Sequence, residues 1–268
     1  MVRRPAVAGY FYPKKADELR SMIKKMVDPQ AKKEKARAVV SPHAGIIYSG
    51  PVAGAVYSSV ILPERFVLLG PSHRGQRSVF GIMKKGSWQT PLGEVPLDSE
   101  LAESLLRCSS LVRVEESAHE EEHSLEVQLP FIQFLSPGFS IVPVCVSPVA
   151  DYAALEELGK SLAGAIRESG RDVLVVASTD MSHYVSQEMA REKDFLAIDR
   201  ILALDARGLY EVVQEEDISM CGFQPTTAAI LAAKELGAGR ADLIRYMTSG
   251  DTSGDFDQVV GYAGLRIV

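Results

Sequence analysis

Three of the five histidines stand just after stretches that read as buried strands. Ala36 to Val40 is an apolar run ending at Ser41-Pro42-His43. Phe66 to Leu69 ends at Gly70-Pro71-Ser72-His73, and Asp172 to Ala177 ends at Ser178-Thr179-Asp180-Met181-Ser182-His183. Where parallel strands end at one sheet edge, side chains from distant segments converge, and ligands bind there. Cys221, in Met220-Cys221-Gly222-Phe223-Gln224-Pro225, precedes a predicted helix whose positive end favours thiolate. Thiolate with neutral imidazole suits iron, zinc or copper. Each ligating imidazole then needs a partner on its second nitrogen. Asp180 is a candidate for that role or for direct ligation.

Taken singly, each histidine is more often a hydrogen-bonded structural residue; the coincidence of four such positions is what points to a shared polar pocket. Cys108, in a predicted helix, and Cys145, in an apolar strand, read as small buried residues. His119-Glu120-Glu121-Glu122-His123 matches the H-E-x-x-H pattern of zinc proteases. That motif needs both histidines inside one helix, whereas this acidic run reads as the approach to a helix. His119 is therefore expected in a solvated loop. His123, with Ser124 and Glu126, opens the helix and is expected to line the pocket. Tyr48 and Trp88 are candidate pocket walls. Arg74 and Gly75 could hold an anion, and Ser249 to Asp255 has the small, polar character of a rim.

The elements that must position these residues alternate. Ala16 to Val27, Gly50 to Ser59, Ser99 to Leu106 (capped by Asp98), His123 to Leu135 and Tyr152 to Glu168 read as helices. So do Glu188 to Leu204, Ala206 to Gln214 and a helix begun near Pro225. Ser140 to Val146, Ala241 to Thr248 and Gln258 to Val268 read as further strands, and Trp88 to Pro96 as a hairpin. Buried strands alternating with helices predict an α/β fold, with a mostly parallel central sheet and helices on both faces. No linker divides the 268 residues, so a single domain over residues 1–268 is expected.

Composition sets outer limits. A net charge of −6 gives no general attraction to nucleic acid or to an anionic membrane. The basic stretch Lys32 to Arg37 reads as a solvated loop. No stretch approaches the ~18 apolar residues of a membrane span, and the N-terminus lacks a signal-peptide run. Three cysteines form no disulfide framework, which makes a reducing cytoplasm the expected compartment.

Several segments carry a family resemblance. Arg4 to Pro13, Pro42 to Gly50, Leu69 to His73, Glu122 to Pro130, Ser178 to Tyr184, Cys221-Gly222 and the closing Val259 to Ala263 resemble, in order, the signatures of Memo-like proteins, also called AmmeMemoRadiSam system protein B. The resemblance covers nearly the whole chain. It implies a fold similar to class III extradiol dioxygenases, which use non-haem iron. On that resemblance His43 and His73 take the place of the two histidine ligands. Cys221 takes the place of the carboxylate ligand, and His183 that of the catalytic base. The family implies iron or copper and redox activity. It also implies partners of the radical-SAM and AMMECR1 types, or phosphotyrosine peptides for animal members. The thiolate departs from the dioxygenase pattern: it changes the metal's potential and is itself oxidisable, which argues against carrying ring cleavage over. No arginine cluster suited to phosphate is evident.

Three functions follow as expectations. The first is a metal-dependent redox enzyme, with iron on His43, His73 and Cys221 and with His183 as acid/base oriented by Asp180. The second is a non-catalytic module that binds a peptide or small ligand in the same pocket. The third is metal-free nucleophilic catalysis by Cys221 with His183 as base.

Overall fold

Strands that are apolar on both faces over most of their length must be covered on both faces, and four of them lie side by side at the centre of one sheet. The computed structural model describes residues 1–268. In chain order its strands are β1 (Val2–Arg3), β2 (Ala38–Ser41), β3 (Arg65–Pro71), β4 (Phe80–Ile82), β5 (Ser87–Thr90), β6 (Gly93–Pro96), β7 (Val112–Val114), β8 (Ser140–Val146), β9 (Leu174–Ser178), β10 (His183–Val185), β11 (Ala241–Thr248) and β12 (Val259–Ile267). The helices are α1 (Ala16–Lys24), α2 (Ile46–Ser58), α3 (Ser99–Cys108), α4 (Leu129–Leu135), α5 (Tyr152–Ser169), α6 (Gln187–Leu202), α7 (Ala206–Glu215), α8 (Phe223–Glu235) and α9 (Gly250–Ser253).

The four central strands run β2, β9, β3, β8, all parallel. Antiparallel strands complete the sheet. β12 pairs with β2, β10 and β11 pair with β12, and β4 pairs with β8 on the other side and carries β7 parallel to it. The sheet is therefore mixed, which corrects the expectation of a mostly parallel one. The cause is connection length. A parallel return needs a crossover of a dozen or more residues, usually helical, whereas short connections permit an antiparallel return. The stretches after β3 and between β11 and β12 are short, the latter holding only the one-turn α9. The Trp88–Pro96 hairpin is present as β5 and β6, which form a separate three-stranded sheet with β1.

Alternation along the central strands divides the core in two. Val67 and Leu69 of β3 face one side, with α3, α5, α6, α7 and α8; Phe66 and Leu68 face the other, with α1, α2 and α4. Asp98 caps α3 by accepting from Leu101 N at 3.0 Å. The segment after His123 is a 3-10 turn, Glu126–Gln128, that leads into α4. Residues 249–255, expected as a rim, hold α9, and Asp251 accepts from Thr248 N at 2.7 Å. No helix is long and apolar enough to cross a membrane.

Candidate metal centre

The carboxyl ends of β2, β9 and β3 lie on one edge, and register decides which residues meet there. Ser41 of β2 pairs with Ser178 of β9. Two residues on from each are His43 and Asp180, and the Asp180 carboxylate accepts from His43 N at 2.8 Å and Ala44 N at 3.3 Å. His73 follows β3, and the Glu122–Ser124 segment packs across that strand's end. Gly70 permits this approach, because a Cβ there would meet Leu125 Cδ2 at 2.6 Å and Ser124 Oγ at 2.7 Å.

The three imidazoles of His43, His73 and His123 offer ligand nitrogens that all lie within 4.8 Å of one another. Their ring centroids are 5.3 Å apart for His43–His73, 5.5 Å for His43–His123 and 4.6 Å for His73–His123. His43 is buried, while the side chains of His73 and His123 are 32% and 17% exposed, so the cluster opens to solvent on one side. Phe11 closes another side, its ring 4.7 Å from that of His123. The Phe11 segment is itself held by the buried Glu126. That carboxylate pairs with Arg3 at 2.6 Å and accepts from Ala6 N, Val7 N and the Tyr12 hydroxyl.

Burial, and next the neighbouring His73, lower His43 to about 3; burial and His43 lower His123 to about 4. Both imidazoles are therefore neutral at neutral pH, the form that ligates. Burial alone would raise Glu122, yet the hydrogen bond and charge of His73 and donations from backbone N–H groups bring it to about 2. As an ionised carboxylate it accepts from His73 Nδ1 at 2.9 Å and from the backbone of His73, His123 and Ser124. This fixes the His73 proton on Nδ1 and leaves Nε2 with a free lone pair.

Cys221 lies beside the cluster, with Sγ 3.4 Å from His43 Nε2 and accepting from Asp180 N at 3.2 Å. Gly222 lets this segment reach β9, since a Cβ there would meet Ser178 O at 2.4 Å. The helix-end expectation for Cys221 is corrected: burial, and then the Asp180 charge, push the thiol up. Cys221 stands two residues ahead of α8, and desolvation outweighs the dipole. His183, in β10, donates from Nδ1 to Ser219 O and from its backbone N–H to Ser219 Oγ, both at 2.8 Å. Ser219, and not Asp180, therefore orients the His183 ring. The contact partner of Cys221 is His43, not His183, which removes the geometry expected for a Cys221–His183 nucleophile pair.

Tyr48, in the first turn of α2, is exposed beside Gly45. Trp88 is not a pocket wall. It is fully buried, with Nε1 on Met83 Sδ at 3.3 Å and the Arg3 guanidinium 4.1 Å from its ring centroid. His119 is not in a solvated loop: it is fully buried against Trp88, in the 3-10 turn Glu116–His119. Arg74 is exposed. A cavity of about 470 Å³ lined by Lys35, Arg37, Arg65 and Arg171 lies at the amino ends of β2, β3 and β9, and holds none of the histidines.

The sequence reading missed Glu122, Ser178 and Ser219 as partners of the histidines. Glu122 had a readable signal in its place beside His123. Ser178 and Ser219 had none, because their roles depend on contacts across long sequence separations.

Comparisons with known proteins agree with this picture. Residues 3–266 match the family described as Memo-like protein. A MEMO1 family protein of Methanothermobacter thermautotrophicus is 43% identical, over 99% of this chain and all of that one. One from Pyrobaculum arsenaticum is 45% identical, over 98% of each. Among solved structures, an uncharacterized protein from Escherichia coli K12 shares the fold, with a TM-score of 0.58 at 14% identity, covering 87% of this chain and all of that one. The chain belongs to the Memo family.

Proposed function

We propose that the chain binds a transition metal through Nε2 of His43, His73 and His123, with Cys221 placed to supply a fourth, sulfur donor, in a pocket of class III dioxygenase-like form. The convergence of three imidazole nitrogens within 4.8 Å carries this reading. The donor chemistry fits: two rings are neutral by burial, and the second nitrogen of His73 rests on a carboxylate, as metal-bound histidines require. Three nitrogens with one soft sulfur suit iron, copper or zinc. Iron or copper held there would supply redox and Lewis-acid chemistry. The chain's own part is to orient the His43 ring through Ser178 and the His73 ring through Glu122, and to leave one side open for a small ligand. His183, with its proton held on Nδ1 by Ser219, presents Nε2 as a proton acceptor.

The test is metal content of anaerobically purified protein. Wild type should carry about one metal per chain, falling at least tenfold in His43→Ala and His73→Ala. Cobalt loading separates the donor sets: a thiolate-to-cobalt band lost in Cys221→Ser places sulfur on the metal. Unchanged metal content in both histidine variants overturns the proposal.

A second reading, a binding module that does no chemistry, is favoured by the exposed aromatic ring of Tyr184 beside His183. Ligand binding that survives complete metal removal would support it over the first.

A further inference from the structure

We infer that a buried relay, Tyr57–Gln128–Ser178, fixes the tautomer of His43, holding its proton on Nδ1 and its lone pair on Nε2 toward the other histidines. The inference rests on the metal-site reading for its purpose, though not for its geometry.

The direction of every hydrogen bond in the relay follows from groups that can only accept. Pro42 O lies 3.0 Å from the side-chain nitrogen of Gln128. A carbonyl oxygen cannot donate, so the amide nitrogen must face it. The amide oxygen then faces Tyr57, whose hydroxyl donates to it at 2.8 Å. With this orientation Gln128 Nε2 also donates to Ser178 Oγ at 2.8 Å. Ser178 has one proton, and it goes to Ser124 O at 2.6 Å, a second group that can only accept. Both lone pairs of Ser178 must therefore receive: one from Gln128, the other from His43 Nδ1 at 2.9 Å. The imidazole nitrogen facing Ser178 has to carry the proton. Its other nitrogen, Nε2, carries none, and the hydrogen shared with Cys221 Sγ belongs to the sulfur.

Gln128, Ser178 and His43 are all buried, so water does not relax these constraints. The opposite tautomer would set two lone pairs against each other between Nδ1 and Ser178 and would turn an N–H toward the metal position. Gln128 and Ser178 are thus positioning residues. They do for His43 what Glu122 does for His73, with neutral groups in place of a carboxylate.

The experiment is nitrogen-15 NMR of the histidine rings in metal-free protein at pH 7.5, followed by zinc titration. The expected wild-type result is Nδ1–H for His43, with His73 and His183 also Nδ1–H as internal references. Ser178→Ala should leave His73 and His183 unchanged while His43 becomes a mixture of tautomers, and zinc affinity should fall ten- to a hundredfold. Ser178→Thr, which keeps the hydroxyl, should restore both. An Nε2–H tautomer at His43 in the wild type overturns the inference, whatever the variants do. So does a Ser178→Ala protein with wild-type tautomer and zinc affinity. If the wild type binds no zinc yet shows His43 as Nδ1–H, the metal reading fails and the relay stands.

Discussion

His43 Nε2 lies 3.4 Å from Cys221 Sγ, and His119 Nδ1 lies 3.3 Å from Cys145 Sγ. The two pairs have the same chemical groups at nearly the same separation. Burial raises both thiols, and burial lowers both imidazoles to about 3. Their surroundings differ. His119 Nε2 donates to Gly81 O at 3.0 Å, and its Nδ1 accepts from the Cys145 thiol. Each nitrogen has its partner, as at His43, but here Trp88 packs on the ring and no second imidazole approaches it. At His43 the second nitrogen faces two more imidazoles that lead out to solvent. An imidazole–thiol contact is therefore an ordinary packing device until further lone pairs converge on it from other segments. Convergence, more than burial or an odd pKa, separates the candidate site from the core here.

The largest expected effect would break this comparison outright. His43→Ala should remove nearly all bound metal at a modest cost in stability. His119→Ala should keep the metal and cost about 3 kcal/mol, from the emptied space and the unpaired Gly81 carbonyl. Metal analysis beside urea unfolding reads both quantities. If His119→Ala lost metal as completely as His43→Ala, the two regions would be one functional unit and the contrast would fail.

A middle-sized effect sharpens the contrast through pH. His119 falls from 6.5 to about 3 on folding, so the unfolded chain binds its proton more readily. Stability from this group is full above about pH 6.5 and is lost as pH falls toward 3, by up to about 1.4 kcal/mol per pH unit. His43 and His123 act in the same direction, so the useful quantity is a difference. His119→Gln should flatten the pH dependence of unfolding between pH 6 and 4 by about one proton's worth. Equal slopes in the two proteins would show that His119 is not held neutral by its burial.

What could be read from the sequence divides along similar lines. The strand ends bearing His43, His73 and Asp180 were legible because buried strands announce themselves and the residue after each is a local fact. The hairpin at Trp88–Pro96 and the Asp98 cap were legible for the same reason. Strand direction was not. β12 reads equally well parallel or antiparallel to β2, and only its short link to β11 decides. The weight of His123 was understated, because its place depends on Gly70 admitting the segment across β3. Trp88 and His119 were misplaced together. Each is amphipathic enough to suit a pocket or a surface, and the contact with Arg3 and with each other that buries them spans much of the chain.

The smallest expected effect concerns the strand edge that carries His183. Tyr184 has φ +56°, in the left-handed region that costs an L-residue about 1–2 kcal/mol. It sits where β10 shifts register against β12, directly after His183, and it is 74% exposed, so packing of its ring does little to offset the strain. Tyr184→Gly should therefore stabilise the protein by about 0.5 kcal/mol, less than the strain relieved because glycine also gains freedom in the unfolded chain. The edge that carries His183 would then improve in stability on losing a side chain, where the His119–Cys145 region can only lose. Thermal unfolding decides the sign: a destabilised Tyr184→Gly protein would mean that the exposed ring makes contacts that hold β10 in place, and that strain at this edge is not what distinguishes it from the core.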